Sequence, residues 1–182
     1  LVRRVKEHHG DNSAEYLLVS LWRNMPYRGD LHALTINPVD RSTGNFISID
    51  DDTATIVIHH HKTDDTYGKK IDVLDDDVRE LVRRFIEGNN LRDGDYLLGE
   101  RAHTGWINKF LTTIGVKTPE HKRMHLLRHI WATSADRRIT SQYENGEITA
   151  EEYDKARGRL CRLMAHSDAA NEKYMNPIKT AE

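Results

Sequence analysis

The segment 125–129, His-Leu-Leu-Arg-His, places an imidazole and a guanidinium three residues apart. In a helix, residues at this spacing lie on one face, so His125 and Arg128 could both reach the same phosphate group. Arginine donates two parallel hydrogen bonds to phosphate oxygens, a geometry that lysine cannot reproduce. The alternative is a basic helix face that only contacts water. The pattern therefore indicates a phosphate site if other residues of suitable chemistry accompany it.

Two residues near the end of the chain, His166 and Tyr174, have that chemistry. A neutral tyrosine, with a pKa of about 10, is a poor nucleophile, and neighbouring cations lower this pKa because they favour the phenolate. Either His125 or His166 could accept the tyrosine proton, since imidazole titrates near neutral pH. Taken alone, Tyr174 is typical of an ordinary packed tyrosine. Beside fixed cations it is a candidate for attack on a phosphodiester, whose transition state accumulates negative charge.

Two upstream segments supply further cations. Arg28 lies in the segment 25–31, Met-Pro-Tyr-Arg-Gly-Asp-Leu, where an acid and an apolar residue follow the arginine. Arg23 and Arg41 are the alternatives, but neither is followed by this pattern. Lys62 ends a predicted strand and precedes a turn, a place where lysine is common without any chemical role.

In chain order, the segments around these residues resemble the motifs of the tyrosine recombinase and integrase family. Segment 125–129 is similar to the family's His-x-x-Arg-His box. Segment 163–167, Leu-Met-Ala-His-Ser, is similar to its Gly-His box, with Ala165 in place of the usual glycine. Tyr174 follows His166 by eight residues, close to the position of the family's nucleophile.

The two upstream segments complete the resemblance. The Arg28 segment resembles the family's first arginine motif, although the common Thr-Gly before the arginine is absent. His61-Lys62-Thr63 is similar to the Lys-Thr hairpin that delivers the family's catalytic lysine. Together the matches extend from residue 28 to residue 174, nearly the whole chain.

The resemblance implies six catalytic residues. They are Arg28, Lys62, His125, Arg128, His166 and Tyr174. Tyr174 would attack the DNA backbone and form a covalent 3′-phosphotyrosine, while Lys62 protonates the departing 5′ oxygen. A second 5′-hydroxyl can reverse the step, which implies site-specific cleavage and rejoining of DNA without a cofactor or metal. The expected partners are double-stranded DNA and further copies of the chain, assembled as a tetramer on DNA.

Several alternatives stay open. His129 either supports the site from behind the catalytic residues or simply packs, and Asp30 either orients Arg28 or caps a helix. A type IB topoisomerase would share the fold and the chemistry but relax supercoils without joining different duplexes. A catalytically silent DNA-binding module is the alternative of another class. The loose Arg28 motif and the long gap before His166 suggest a divergent branch, from a virus or a mobile element.

The charge distribution favours one half of the chain as a DNA surface. The net charge of −2 over 182 residues is low for a nucleic-acid-binding protein. Residues 50–77, however, contain nine acids and three lysines, whereas residues 101–138 contain eight lysines and arginines and two acids. From the basic half, Lys122, Arg123 and Arg137 are the predicted DNA contacts.

The elements that must position these residues indicate an α+β fold, mostly helical, with a small three-stranded antiparallel sheet near the N-terminal part, like the recombinase catalytic domain. Apolar spacing and capping residues define the predicted helices, and β-branched runs between turns define the strands. Five helices are predicted. The first runs from Asn12 to Pro26, with Asn12 and Glu15 as a capping box, and the second is capped by Asp76 and stopped at Gly88. The others are Gly105–Ile114, a helix from Pro119 through Ala135, and a helix from Thr149 through Leu163 with Thr149 and Glu152 as a capping box. The predicted strands are Asn45–Ile49, Thr55–His60 and Lys70–Leu74. Residues 142–147 are predicted to be a loop or a short helical excursion.

Length and composition predict one domain over residues 1–182 in an intracellular protein. A single cysteine, Cys161, excludes an internal disulfide and a cysteine zinc site, and this fits a reducing compartment. The chain begins with Leu1 in a helical pattern, so we expect a piece of a longer protein with a DNA-binding domain upstream. The run His59-His60-His61 is interpreted as solvent-facing polar residues of a strand, and the Asp runs at 50–52 and 75–77 as turn and helix-cap residues, rather than as metal ligands.

Overall fold

The computed structural model describes residues 1–24, 31, 33–60, 68–99, 104–116 and 123–164, and for residues 104, 123–126 and 162 it describes the backbone alone. Contacts divide the chain into two compact units, Leu1–Glu120 and His121–Glu182. That both units belong to one catalytic domain stays a prediction. No helix within the described ranges is long and apolar enough to cross a membrane.

The first unit combines helices with a sheet, which confirms the α+β class. In its described part the elements are α1 (Val2–His9), α2 (Ala14–Asn24), β1 (Thr35–Ile36), β2 (Phe46–Ile49), β3 (Ala54–Ile58), β4 (Lys70–Val73), α3 (Asp76–Gly88) and α4 (Thr104–Thr113). The helices form where apolar residues recur every three or four positions. In α3, for example, Val78, Leu81, Val82 and Phe85 are buried.

In the described part of the chain the sheet is mixed and has four strands, in the order β1-β2-β3-β4, so a sheet of three antiparallel strands alone is not confirmed. The pairs β2–β3 and β3–β4 are antiparallel, with Phe46 opposite Val57 and Val57 opposite Ile71. The added strand β1 pairs parallel to β2, with Thr35 opposite Phe46. A strand of two residues is too short for an alternating pattern, so the sequence gives no sign of it.

The position of β1 is fixed by both neighbours. On one side Asn37 N–H donates to the Ile47 carbonyl at 2.9 Å, and on the other Ile36 N–H donates to the Asp95 carbonyl at 2.9 Å. Asn37 has a φ of 38° and its amide side chain continues the pairing. Its Nδ2 donates to the Ile49 carbonyl at 3.0 Å and its Oδ1 accepts from Ile49 N–H at 2.8 Å.

Two helix starts differ by one residue from the sequence prediction. Ser13, not Asn12, caps α2, because its Oγ accepts a hydrogen bond from Tyr16 N–H at 3.1 Å. Asp75 stands at the cap position of α3, which begins at Asp76, and its side chain makes no capping hydrogen bond. In both cases two adjacent residues are of types that favour the cap position, and a difference of one residue is common at helix ends.

The run Asp50–Asp52 forms the β2–β3 turn, as the sequence predicts. The Asp50 carboxylate accepts hydrogen bonds from Thr53 N–H at 2.7 Å and Asp52 N–H at 2.9 Å. These bonds, that of Thr53 N–H first, hold the pKa of Asp50 below its ordinary value. Arg79 and Arg83 of α3 donate to the carbonyls of Asp52 and Asp50, which ties the turn to the helix.

The second unit contains, in its described part, two helices, α5 (Arg123–Glu144) and α6 (Ala150–Met164). The predicted capping box of α6 is confirmed: Thr149 N–H donates to Glu152 Oε2 at 2.8 Å, and Glu152 N–H donates to Thr149 Oγ1 at 3.3 Å. The polar stretch 142–147 is helical as far as Glu144, and the chain turns at Gly146, which has a φ of 71°.

Candidate functional site

Arg128 is buried inside the second unit. Its residue is 4% exposed, and its Nη2 donates to the backbone carbonyl of Met164 at 2.7 Å. Arginine is almost never fully buried unless its charge is compensated by hydrogen bonds or partners. The burial therefore marks Arg128 as a residue whose guanidinium is held in a fixed position.

The acceptor of this bond is the carbonyl of the last residue of α6. The last four carbonyls of a helix have no partner within the helix, and together they carry partial negative charge. A guanidinium at this position donates a hydrogen bond to a carbonyl, and its positive charge is attracted to the partial negative charge of the helix end. Arg128 of α5 thus binds the C-terminal end of α6 across 36 residues of sequence.

Apolar contacts continue from Arg128 along the two helices. Ala132, Leu160 and Met164 form a buried cluster. Three half-buried side chains of α5 pack against it, namely Trp131, Ala135 and Ile139. Because 132 follows 128 by one turn and 160 precedes 164 by one turn, the helices run antiparallel.

Polar and aromatic contacts complete the pairing toward the Gly146 turn. Arg157 Nε donates to Asp136 Oδ1 at 3.1 Å. Farther along, the rings of Tyr143 and Tyr153 stack with centroids 4.8 Å apart, and the Arg157 guanidinium lies 5.6 Å from the Tyr153 ring centroid. The antiparallel pair is therefore fixed in register by one apolar cluster and two side-chain contacts.

This arrangement accounts for the long sequence gap after Arg128. The chain continues along α5 for 16 residues to Glu144 and returns along the 15 residues of α6. The end of α6 consequently lies beside Arg128, although the two are 36 residues apart in sequence. The two ends come together because the 16 residues of α5 after Arg128 and the 15 residues of α6 rise by nearly the same distance in opposite directions.

The structure places the predicted site residues as follows. His125 lies in α5, three residues before Arg128, and Arg123 begins the helix; for both the backbone alone is described. His129 is half-buried beside Arg128 in sequence. Six predicted residues lie outside the described part of the chain, namely Arg28, Asp30, Lys62, Lys122, His166 and Tyr174.

Arg137 is exposed on α5. It follows Arg128 by nine residues, which is about two and a half helical turns, so the two residues lie on opposite sides of the helix. The structure therefore does not bring Arg137 together with Arg128. If Arg137 contacts DNA, it does so on a different face of α5.

The residues that sequence reasoning missed are those that hold Arg128 in place. Met164 contributes a backbone oxygen, which carries no signal in sequence, and Leu160 and Ala132 are ordinary apolar residues. The pair Asp136 and Arg157 lies 21 residues apart and belongs to no short motif. The Thr149–Glu152 capping box is the sequence signal that could have revealed this pair of helices, because it shows where α6 begins.

Among the described residues, no three His, Cys, Asp or Glu side chains come together in a group that could hold a metal ion. His59 and His60 serve the end of the sheet: the His59 ring lies 6.0 Å from that of Phe46, and His60 N–H donates to Asn45 Oδ1 at 2.9 Å.

Comparison with known proteins gave no match: no protein-family model, no curated protein and no solved structure is significantly similar to this chain. The tyrosine recombinase interpretation therefore depends on the motif residues and on the geometry around Arg128.

Proposed function

We propose that the chain cleaves and rejoins DNA strands through a covalent 3′-phosphotyrosine on Tyr174, as the catalytic domain of a tyrosine recombinase or integrase. The observation that carries the proposal is the hydrogen bond of the buried Arg128 guanidinium to the Met164 carbonyl at 2.7 Å. It joins the helix of the His-x-x-Arg motif to the end of the helix that leads into the second histidine motif.

Chain connectivity extends this support to two histidines. Met164 precedes His166 by two residues in the sequence, and His125 precedes Arg128 by three. The Arg128–Met164 hydrogen bond therefore joins the chain segments to which the two histidine motifs belong.

A fixed guanidinium is what the proposed reaction requires. Negative charge increases on the non-bridging oxygens as the phosphodiester is attacked, and donors that are already in position stabilise it without reorganisation. The Met164 carbonyl accepts a hydrogen bond from Nη2 of this guanidinium, which is a planar group with several N–H donors. The Met164 bond and the surrounding burial would hold the fork in the orientation that meets the phosphate.

The proposed chemistry balances without a cofactor. Tyr174 Oη attacks phosphorus, the bond from phosphorus to the 5′ oxygen breaks, and the phenolic proton passes to His125 or His166. Lys62 gives a proton to the departing 5′ oxygen. Attack by a 5′-hydroxyl on the phosphotyrosine reverses these steps and restores a phosphodiester.

The test is covalent capture of DNA. The purified protein is incubated with a pool of nicked duplexes of random sequence, in which the short fragment downstream of the cut diffuses away, and adducts are isolated under denaturing conditions. We expect an adduct that survives EDTA and maps to Tyr174. Tyr174→Phe should abolish it, whereas Tyr143→Phe, which alters a tyrosine stacked on Tyr153, should not.

Absence of an adduct in the wild-type protein, or an adduct that persists in Tyr174→Phe, would contradict the proposal. Duplexes recovered by capture then serve in two assays. Joining of two different duplexes supports recombinase activity, whereas relaxation of a supercoiled plasmid alone would identify type IB topoisomerase activity instead.

A further inference from the structure

The outer edge of the sheet, strand β4, has exposed apolar side chains. Ile71 is 55% exposed and Val73 is 66% exposed, and they stand side by side on one face of the strand. On the same face of the neighbouring strand, Val57 is opposite Ile71 and Thr55 is opposite Val73. The edge of the sheet therefore ends in a small apolar surface.

The register shows which backbone groups of β4 point away from the sheet. Leu74 N–H donates to the Ala54 carbonyl at 2.9 Å, so the hydrogen-bonded positions of this antiparallel pair continue at every second residue, at Asp72 and Lys70. The N–H and C=O groups of Ile71 and Val73 consequently face outward. In the part of the chain that the structure describes, no further strand pairs with β4.

We propose that β4 pairs antiparallel with β4 of a second copy of this chain, about a twofold axis at Asp72, so that Ile71 lies opposite Val73 of the partner subunit. In this pairing the outward N–H and C=O groups of Ile71 lie opposite the outward C=O and N–H groups of Val73 of the partner subunit. It places two aliphatic pairs side by side on the exposed face. Cross-strand aliphatic pairs of this kind stabilise a sheet.

The charges that flank β4 match in this arrangement. Lys69 and Asp75 are exposed on the same face as Ile71 and Val73. With the axis at Asp72, Lys69 lies opposite Asp75 of the partner subunit, and by symmetry the reverse pair forms as well. A parallel pairing would instead set Lys69 against Lys69 of the partner subunit, and like charges directly opposite are destabilising.

On the other face of the strand, the pairing brings two Asp72 carboxylates together and places a lysine of each copy near them. Asp72 meets Asp72 of the partner subunit at the axis. Lys70 of each copy lies diagonal to that acid, within the reach of a long side chain. Charged residues on an edge strand often prevent association. Here one charge on each side of the axis, Lys69 or Asp75, lies opposite a residue of the other sign when the strand is reversed.

The inference does not depend on the proposed function, and its test is the oligomeric state of the whole chain. Sedimentation equilibrium up to millimolar concentration should show a weak, concentration-dependent dimer. Lys69→Asp and Asp75→Lys should each raise the dimer Kd by about tenfold, because two favourable pairs become repulsive. The double variant should restore dimer formation. The control is Lys109→Asp, at an exposed position of α4, which should leave the dimer Kd unchanged.

A backbone variant tests the edge itself. Val73→Pro removes an N–H that the sheet of one chain does not use, and proline is tolerated at such edge positions. It should abolish the dimer and leave the circular dichroism spectrum and the thermal midpoint of the monomer near those of the wild type.

A wild-type chain that stays monomeric at millimolar concentration would overturn the inference. The inference would also be overturned if neither single charge reversal changed the dimer Kd, or if the double variant did not dimerise as the wild type does. These outcomes keep their meaning even if Val73→Pro does not fold.

Discussion

The Nη2 of Arg128 donates to the carbonyl oxygen of Met164 at 2.7 Å, and this bond fastens the end of α6 to α5. Loss of the side chain would leave a helix-end carbonyl without this donor and a space in a buried region. We expect Arg128→Ala to lower the free energy of unfolding by about 2 kcal/mol. Urea denaturation measures the change.

The matched control is Arg137→Ala on the same helix. Arg137 is exposed, so its removal should change the free energy of unfolding by less than about 0.5 kcal/mol. Equal effects of the two substitutions would show that the Met164 bond contributes nothing.

Arg128→Lys separates stability from the proposed chemistry. A lysine keeps the charge and can reach a carbonyl oxygen, but it lacks the planar fork that binds two phosphate oxygens. We therefore expect adduct formation to slow by about 100-fold or more, the cost of losing one donor to a developing oxyanion. The measurement is the single-turnover rate of covalent capture, with folding checked by circular dichroism.

Leu160, 3% exposed, packs with Ala132 and Met164 between the two helices of the second unit. Leu160→Ala should cost about 2 to 5 kcal/mol, because it removes buried methyl groups and leaves a cavity. Ile130→Ala, at a position of α5 that is 53% exposed, should cost far less. The reverse order of the two effects in urea denaturation would contradict this packing.

The capping box of α6 predicts a pH dependence. Hydrogen bonds from Thr149, its N–H first and its hydroxyl second, hold the pKa of Glu152 below the ordinary value. A carboxyl whose pKa is lower in the folded state stabilises the protein above its unfolded pKa, and this contribution disappears as the pH falls through the folded pKa.

We therefore expect Glu152→Gln to be less stable than the wild type at neutral pH and to equal it in acid. The measurement is the difference between the two unfolding free energies as a function of pH, which cancels the titration of other acids. The control is Glu151→Gln, at a residue that pairs with Lys155 one helical turn later. Its difference in unfolding free energy from the wild type should change less with pH. A Glu152→Gln difference that does not vary with pH would exclude a contribution from the charge of Glu152.

Asn37 combines a left-handed backbone with three side-chain hydrogen bonds, two to the Ile49 backbone and one to Asp93 Oδ1 at 3.0 Å. Asn37→Gly keeps the backbone conformation and removes the bonds, so it should cost about 2 kcal/mol. Asn90 has a φ of 53° and is exposed. The same substitution there should be nearly neutral, and an equal cost at both sites would assign the effect of Asn37 to backbone entropy.

Elements whose causes are local could be predicted from the amino-acid sequence alone. The Thr149–Glu152 capping box, the Asp50 turn and the three β-rich segments depend on residues a few positions apart, and they appear in the structure close to where the sequence predicts them. Helix α5 extends to Glu144, beyond the predicted helix through Ala135. The choice of Ser13 over Asn12 as a cap lies at the limit of this reasoning, since adjacent residues compete for one position.

Features that join distant parts of the chain could not be predicted from the sequence and are visible only in the tertiary structure. Strand β1 exists because β2 and the segment around Asp95 both pair with it, and two residues carry no pattern of their own. The sequence named Arg128 from its spacing to His125, but it could not show that the guanidinium is buried against Met164. That contact depends on α6 folding back along the part of α5 that follows Arg128, and a backbone oxygen 36 residues away has no signature in sequence.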